Sequence, residues 1–262
     1  MTRVLVLRAP GTNCDKETAR ALREAGAIAE IIHVNRVIEG AVDLFSYDGL
    51  VIPGGFSYGD RVRAGAILSA KIKSKIWKRV KAFADEGRPV LGICNGFQVL
   101  VELGLLPGSS YGEYPAVALA PNLSAKFEAR WVYLRHVNKG KCIFTRNLGE
   151  KVLRMPVAHV EGRFMTRNDE VLKRIMEDDQ AVFIYAKPDG SPADGEYPYN
   201  PNGSALDIAG ICDEDGNVMG LMPHPERAIY TWQLPEKARE DGYADGMHIF
   251  REMIRYVEEK IK

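Results

Sequence analysis

Strand and helix patterns alternate along the first hundred residues, and the strands are apolar on both faces. "RVLVLRAPG" is a β-branched run closed by Pro-Gly. A helical pattern follows from about Asp15 to Ala25, with Ala19, Leu22 and Ala25 on one face and Gly26 as its stop. "IAEIIHV", "YDGLVIPGG" and "RPVLGIC" read as three further strands. Between the last two, one long helix is expected over about 62–85. Ile72, Ile76, Val80 and Phe83 form its inner stripe, and Lys71, Lys75, Lys78 and Lys81 its solvated face. A strand apolar on both faces must be covered on both. Such alternation therefore predicts an α/β fold, doubly wound around a mostly parallel central sheet.

The pattern changes after about residue 115. "LSAKFEARWVYL" alternates, with Leu123, Ala125, Phe127, Ala129, Trp131 and Tyr133 on one face, as in a half-buried antiparallel strand. Further strands are expected near "EKVLRMPVAHV", "AVFIYA", "ALDIAGICD" and "NVMGLMPH". The Asp-Gly of "DEDGNV" reads as a hairpin turn between the last two. A closing amphipathic helix carries Met247, Phe250, Ile254 and Val257. The expectation is an antiparallel extension of the parallel sheet, in a single domain over residues 1–262.

Composition narrows the class of partner. With 35 Lys plus Arg against 35 Asp plus Glu, no basic surplus points to nucleic acid. No apolar run reaches membrane-spanning length, and the start does not read as a signal peptide, so a cytoplasmic protein is expected. Cys14, Cys94, Cys142 and Cys212 form no CxxC pair, which suggests neither a zinc site nor a disulfide framework.

"PVLGICNGFQVL" puts chemistry on this frame. Gly92 and Gly96 bracket Cys94 where a strand turns into a helix, the spacing of a nucleophile elbow with cysteine at its centre. A helix N-terminus behind a thiol favours the thiolate. The plainer reading is a small buried cysteine ending a core strand, and Cys14 fits that reading better. In "GLMPHPERA", prolines hold His224 extended, so that Glu226, two residues on, would lie beside the imidazole. His33 lies in an apolar strand, whereas His136 and His248 stand among surface-like residues. The order Cys94, His224, Glu226 is thus a triad hypothesis. Oxyanion donors would be the N–H of Asn95 and one from the turn Gly54–Gly55–Phe56.

Taken together these residues resemble the class I, triad-type glutamine amidotransferases, a flavodoxin-like family. Among them the chain is most similar to the glutaminase subunits of phosphoribosylformylglycinamidine synthases. "APGTNCDKET", "PGGFSYGDRVRAGAI", "GICNGFQVL", "AHVEGRF", "NPNGS" and "GLMPHPERA" carry the resemblance over almost the whole chain. It implies Cys94 as nucleophile, His224 as base and acid, Glu226 as its orienter and Gly55 as the oxyanion glycine. Gln98 would contact the amino-acid end of glutamine. Gly54, Phe56, His159, Arg163, Asn202 and Gly203 would line the pocket or face a partner. Val160 stands where the family pattern has glycine.

The resemblance further implies a large ATP-dependent synthase partner and leaves room for a third, small component of the complex. No cofactor or metal is expected on this chain, ATP and Mg²⁺ being expected on the partner, since no G-x-x-x-x-G-K-[ST] loop is present. The glutaminase partner of another synthase, a stand-alone γ-glutamyl hydrolase and a non-catalytic member of the fold remain as alternatives.

Overall fold

In the computed structural model, which describes residues 1–112, 115–236 and 241–261, the first half is the alternation that two-faced apolar strands require. β1 (Arg3–Arg8), α1 (Asp15–Glu24), β2 (Ile28–His33), α2 (Val34–Ile38), β3 (Gly49–Ile52), α3 (Ala66–Lys75), α4 (Trp77–Asp85), β4 (Val90–Ile93) and α5 (Asn95–Leu103) follow in order. The second half runs β5 (Val117–Pro121), β6 (Glu128–His136), β7 (Val152–His159), β8 (Glu161–Thr166), α6 (Asp169–Glu177), β9 (Ala181–Ala186), β10 (Ile208–Cys212), β11 (Val218–Leu221) and α7 (Met247–Lys260).

Nine strands form one sheet in the order β2-β1-β3-β4-β11-β10-β9-β6-β7. Pairing is parallel from β2 to β11 and antiparallel from β11 to β7. All residues of β3, β4, β9, β10 and β11 are buried, as strands covered on both faces must be. The hairpin at "DEDGNV" is present: Asp213 N donates to Val218 O at 2.9 Å, and Gly216 takes φ +79°. One consequence governs function. β1, β3, β4 and β11 are adjacent and parallel, so the loops after their carboxyl ends meet: Gly11–Cys14, Gly54–Phe56, Cys94 and His224.

Three expectations are corrected. The long helix is two, because the backbone breaks at Ile76 (φ −134°, ψ 13°). Ile72, Ile76 and Val80 nevertheless stay buried against Leu5, Leu7, Leu50 and Ile52, and the bend lets both segments follow the twisted sheet. The alternation in "LSAKFEARWVYL" has its burial inverted. β6 begins only at Glu128, and its core face carries Val132, Leu134 and His136, while Leu123 and Phe127 are exposed. The aromatic face keeps a polar cover instead, with the Arg154 guanidinium over the rings of Trp131 and Tyr133. His136, expected near the surface, is buried on that core face, where burial holds its imidazole below the usual range. The hairpin-like sheet of β5 with β8, and α6, had no counterpart in the sequence reading.

Segment 187–199, to which the sequence assigns no role, is tied down by Asp207, whose carboxylate accepts from Asp194 N and Gly195 N. In 231–245, residues 237–240 lie outside the described residues.

Candidate active site

Cys94 sits between β4 and α5 at φ +50°, ψ −105°, a backbone that a non-glycine residue adopts only under constraint. Cys94 N donates to Leu221 O at 2.8 Å, which anchors the elbow to β11. The glycines on both sides are demanded by contact. A Cβ on Gly96 would stand 1.8 Å from Ile52 O, and one on Gly92 would stand 2.6 Å from Gly96 O. Glycine there lets α5 lie directly on β3 and β4, and the turn lifts the thiol to the carboxyl edge of the sheet.

His224 leaves β11 with its N–H on Pro156 O at 2.8 Å. Its Nδ1–H donates to Glu226 Oε1 at 2.7 Å, and both side chains are buried. The pairing is as expected, but its cause differs. Pro225–Arg227 is a 3-10 turn, so Glu226 reaches the ring by curling back and not by strand alternation. With Nδ1 committed, Nε2 is the free nitrogen, and among the described residues it has no hydrogen-bond partner. Burial opposes charge on this imidazole. Glu226 and a thiolate at Cys94 more than offset that, and together they hold its pKa well above the ordinary range.

Cys14 is buried at the start of α1, as expected, but the sequence did not place it beside His224. Its Sγ lies 3.9 Å from His224 Nδ1, donates to Asn13 Oδ1 at 3.1 Å and accepts from Arg227 Nη2 at 3.0 Å. Burial pushes this thiol up, against the pull of His224. Cys14, His224 and Glu226 could offer ligand atoms within 4.8 Å of one another, yet the Arg227 guanidinium against Cys14 disfavours a cation there. Gly54 takes part in this packing, because a Cβ on it would stand 2.7 Å from His224 Cε1.

The cleft in front of Cys94 is lined by Gly55, Phe56, Asp60, Ala64, Gln98, Ala158, His159, Val160 and Glu161. It is narrow, about 10 Å³. Two wider clefts, beside Arg135–Asn138 and beside Arg8–Thr12, contain none of the triad. Gly55 has φ +148°, and its flanks are pinned by Phe56 N to Gly11 O (2.9 Å) and Asn13 N to Gly54 O (3.4 Å). Asn95 presents a first-turn helix N–H next to the thiol. Its side chain joins the lining together, accepting from Ser57 N and donating to Asp60 Oδ1 and Gln98 Oε1.

Gln98 in turn donates to Glu161 O. His159 donates Nδ1–H to Asn122 Oδ1 at 3.0 Å, and burial, aided by His224, pushes its pKa down to about 3. Val160 takes no left-handed backbone, so the missing glycine costs nothing there. Arg163, Asn202 and Gly203, expected to line the pocket or face a partner, are not among the residues that line this cleft. Asn202 Nδ2 donates to Gly162 O and holds the "NPNGS" loop on β8, and Gly203 packs on Leu123. Asp60 and Glu161, which do line it, went unassigned although "SYGD" and "HVEG" contain them.

The geometry agrees with what the chain is similar to. Residues 1–257 match the model of the CobB/CobQ-like glutamine amidotransferase domain. A phosphoribosylformylglycinamidine synthase subunit PurQ from Archaeoglobus fulgidus is 46% identical, covering 98% of this chain and 97% of its own length. Its counterpart from Treponema denticola is 43% identical over 97% and 98%. The solved structure of PurLQS from Thermotoga maritima contains a chain with TM-score 0.75 and 34% identity, covering 98% of this chain and 99% of that one. A putative GMP synthase component from Thermoplasma acidophilum, at 18% identity and TM-score 0.56, shares the fold alone. With a family model and full-length relatives in agreement, the chain belongs to the CobB/CobQ-like glutamine amidotransferases and, within them, to the PurQ subunits of phosphoribosylformylglycinamidine synthase.

Proposed function

We propose that this chain is the glutaminase subunit of phosphoribosylformylglycinamidine synthase, and that Cys94, His224 and Glu226 are its catalytic triad. It hydrolyses glutamine to glutamate and ammonia. The ammonia passes to a larger synthase subunit, which converts formylglycinamide ribonucleotide to the amidine in purine synthesis. One observation carries the triad: an imidazole with Nδ1 fixed on a buried carboxylate and Nε2 unpartnered among the described residues, next to a thiol on a strained elbow.

Cys94 as thiolate attacks the δ-carbonyl carbon of glutamine, and the N–H groups of Asn95 and Gly55 stabilise the oxyanion. His224, protonated at Nε2, gives that proton to the departing nitrogen, so that the C–N bond breaks and ammonia leaves. A γ-glutamyl thioester remains. His224 then takes a proton from water, the hydroxide adds to the thioester carbon, and collapse releases glutamate and restores the thiolate. Glu226 keeps the imidazole in the tautomer that directs Nε2 at sulfur.

ATP and Mg²⁺ belong to the synthase partner in this reading, and a third small subunit completes the assembly. The solved structure of PurLQS from Thermotoga maritima, which contains a similar chain, supports an assembly of several subunits. No described helix is long and apolar enough to cross a membrane, which is consistent with a cytoplasmic enzyme. The test is copurification of the native complex, with glutamine-dependent amidine formation measured against added ammonium. A chain that hydrolyses glutamine at full rate with no copurifying synthase would favour a stand-alone hydrolase.

A further inference from the structure

We infer that Asp60 and Glu161 form the subsite that receives the α-ammonium group of glutamine, so that the enzyme selects an amino acid over a simple amide. This rests on the glutaminase reading and adds a specificity device to it. Both carboxylates line the cleft that contains Cys94 and Gln98. They come from different elements, Asp60 from the turn after Phe56 and Glu161 from the start of β8, so the fold brings them together across the substrate path.

Four of the acids that the fold encloses have a cation opposite them, while Asp207 and Asp213, which have none among the described residues, are taken up by backbone N–H groups. Asp15 faces Arg8, Glu128 faces Arg130, Glu252 faces Arg255 and Glu226 faces His224. Among the described residues, neither Asp60 nor Glu161 has an ion-pair partner. Arg63 feels the field of Glu161, but its guanidinium forks onto the Glu102 carboxylate at 2.6 Å. Two carboxylates facing one cleft without a cation repel each other, and a bound cation removes that cost. In keeping with this, burial and then Glu161 push the Asp60 carboxyl up to about 6.

The hydrogen-bond inventory points to the same ligand. Asp60 accepts from Asn95 Nδ2 at 3.2 Å and from the Gly65 N–H, and Glu161 Oε2 accepts from Ala64 N at 3.1 Å. A carboxylate has about four lone-pair positions, so each retains acceptor capacity. His159, 3% exposed, lines the same cleft. With Nδ1–H given to Asn122, its neutral ring keeps Nε2 as an acceptor, and that atom has no partner among the described residues. Acceptors without a cation suit a group with three N–H donors and repel a carboxylate. The turn that carries Asp60 also has positive φ at Tyr58 (55°), Asp60 (50°) and Val62 (79°), so the acid is presented on a backbone held away from its preferred states.

The test compares L-glutamine with 4-carbamoylbutanoate, which has the same amide and carboxylate but no α-amine, on the assembled synthase complex. The wild-type complex should prefer glutamine by about 10²-fold or more in kcat/KM. In Asp60→Asn and Glu161→Gln, the glutamine value should fall about 10- to 100-fold, carried by KM, while that for 4-carbamoylbutanoate changes little. Gel filtration of each variant with its partner checks that it folds and assembles. Equal use of the two amides by the wild type, or an unchanged preference in both variants, overturns the proposal. Glutamine turnover by the wild-type complex is read in the same assay, so loss of the glutaminase reading is seen separately.

Discussion

Two strand-to-helix junctions in this protein place a cysteine at the N-cap of a helix and bring its sulfur to His224, and they are built on opposite terms. At the β1–α1 junction Cys14 keeps an ordinary backbone (φ −98°). Its thiol is bracketed by Asn13 and Arg227, and the buried Asp15 beside it is opposed by Arg8 at 3.4 Å and by the helix N-terminus. At the β4–α5 junction Cys94 is held at φ +50° between two glycines that only close packing explains. Around it, among the described residues, stand His224 Nε2 and His159 Nε2 without partners and two acids without a cation. A buried thiol at a helix start is therefore no site by itself. The site is the junction whose polar groups are fixed in place and unmet by the described residues.

The largest effect should come from the nucleophile. Cys94→Ala is expected to lower glutamine hydrolysis on the order of 10⁴- to 10⁶-fold, while the complex still forms amidine from added ammonium. Glutaminase that survives in this variant would erase the distinction between the two junctions. His224→Ala should cost about 10²- to 10⁴-fold, since it removes both acid and base. Glu226→Ala should cost less, because orienting a base is worth less than supplying one. It should also let the imidazole lose its proton at lower pH, because the carboxylate is among the groups that raise its pKa against burial. The pH dependence of Cys94 alkylation by iodoacetamide reads this directly. An unmoved profile in Glu226→Ala would mean that the 2.7 Å contact does not govern the base.

The Cys94 junction was legible in the sequence because its constraints are local. Gly92 and Gly96 stand at fixed offsets from the thiol, and the strand and helix around them announce themselves by periodicity. The parallel sheet was legible for the same reason. What the sequence hid was relational. Cys14 lies 210 residues from His224, and only the adjacency of β1, β3, β4 and β11 makes them neighbours. Asp60 and Glu161 were hidden likewise, since an acid without a cation is recognised only once the surroundings are known. The inverted burial of β6 has another cause. Trp131 and Tyr133 look like core on hydropathy, yet a broad ring can be covered by a single guanidinium, so alternation marked two faces without saying which faced inward.

The balanced junction should respond to mutation through structure more than through chemistry. Cys14→Ala removes a buried sulfur and leaves the Arg227 guanidinium without its thiol partner. A loss of about 1–2 kcal/mol in stability is expected, with glutaminase reduced by no more than about tenfold. Thermal unfolding and steady-state turnover separate the two. In the wild type, iodoacetamide should label Cys94 well before Cys14, which is fully buried and has its thiol pushed up by that burial. A loss of turnover near that of His224→Ala, without a loss of stability, would move Cys14 into the chemistry.

The smallest effect is the sharpest test, because the same change at the two junctions should have opposite signs. Asp60 has a folded pKa of about 6 against an ordinary value of 3.8, so its contribution favours the folded state fully below pH 3.8 and is lost as pH rises through 6. At pH 7.5 the folded protein holds this carboxylate at a cost, and Asp60→Asn should remove it. The group is only half-buried, so after solvent screening the gain is on the order of 1 kcal/mol, or about 2–4 °C in Tm. The gain should fade as pH is lowered towards 4. Asp15→Asn should instead lower Tm at pH 7.5, since it gives up the attraction of Arg8 and of the α1 N-terminus. Tm for both variants of the free chain, measured at pH 7.5 and pH 4.5, decides the matter. Shifts of the same sign at pH 7.5 would mean that the two carboxylates are equally well served by the fold, and that the acid at the Cys94 cleft is not waiting for a cation.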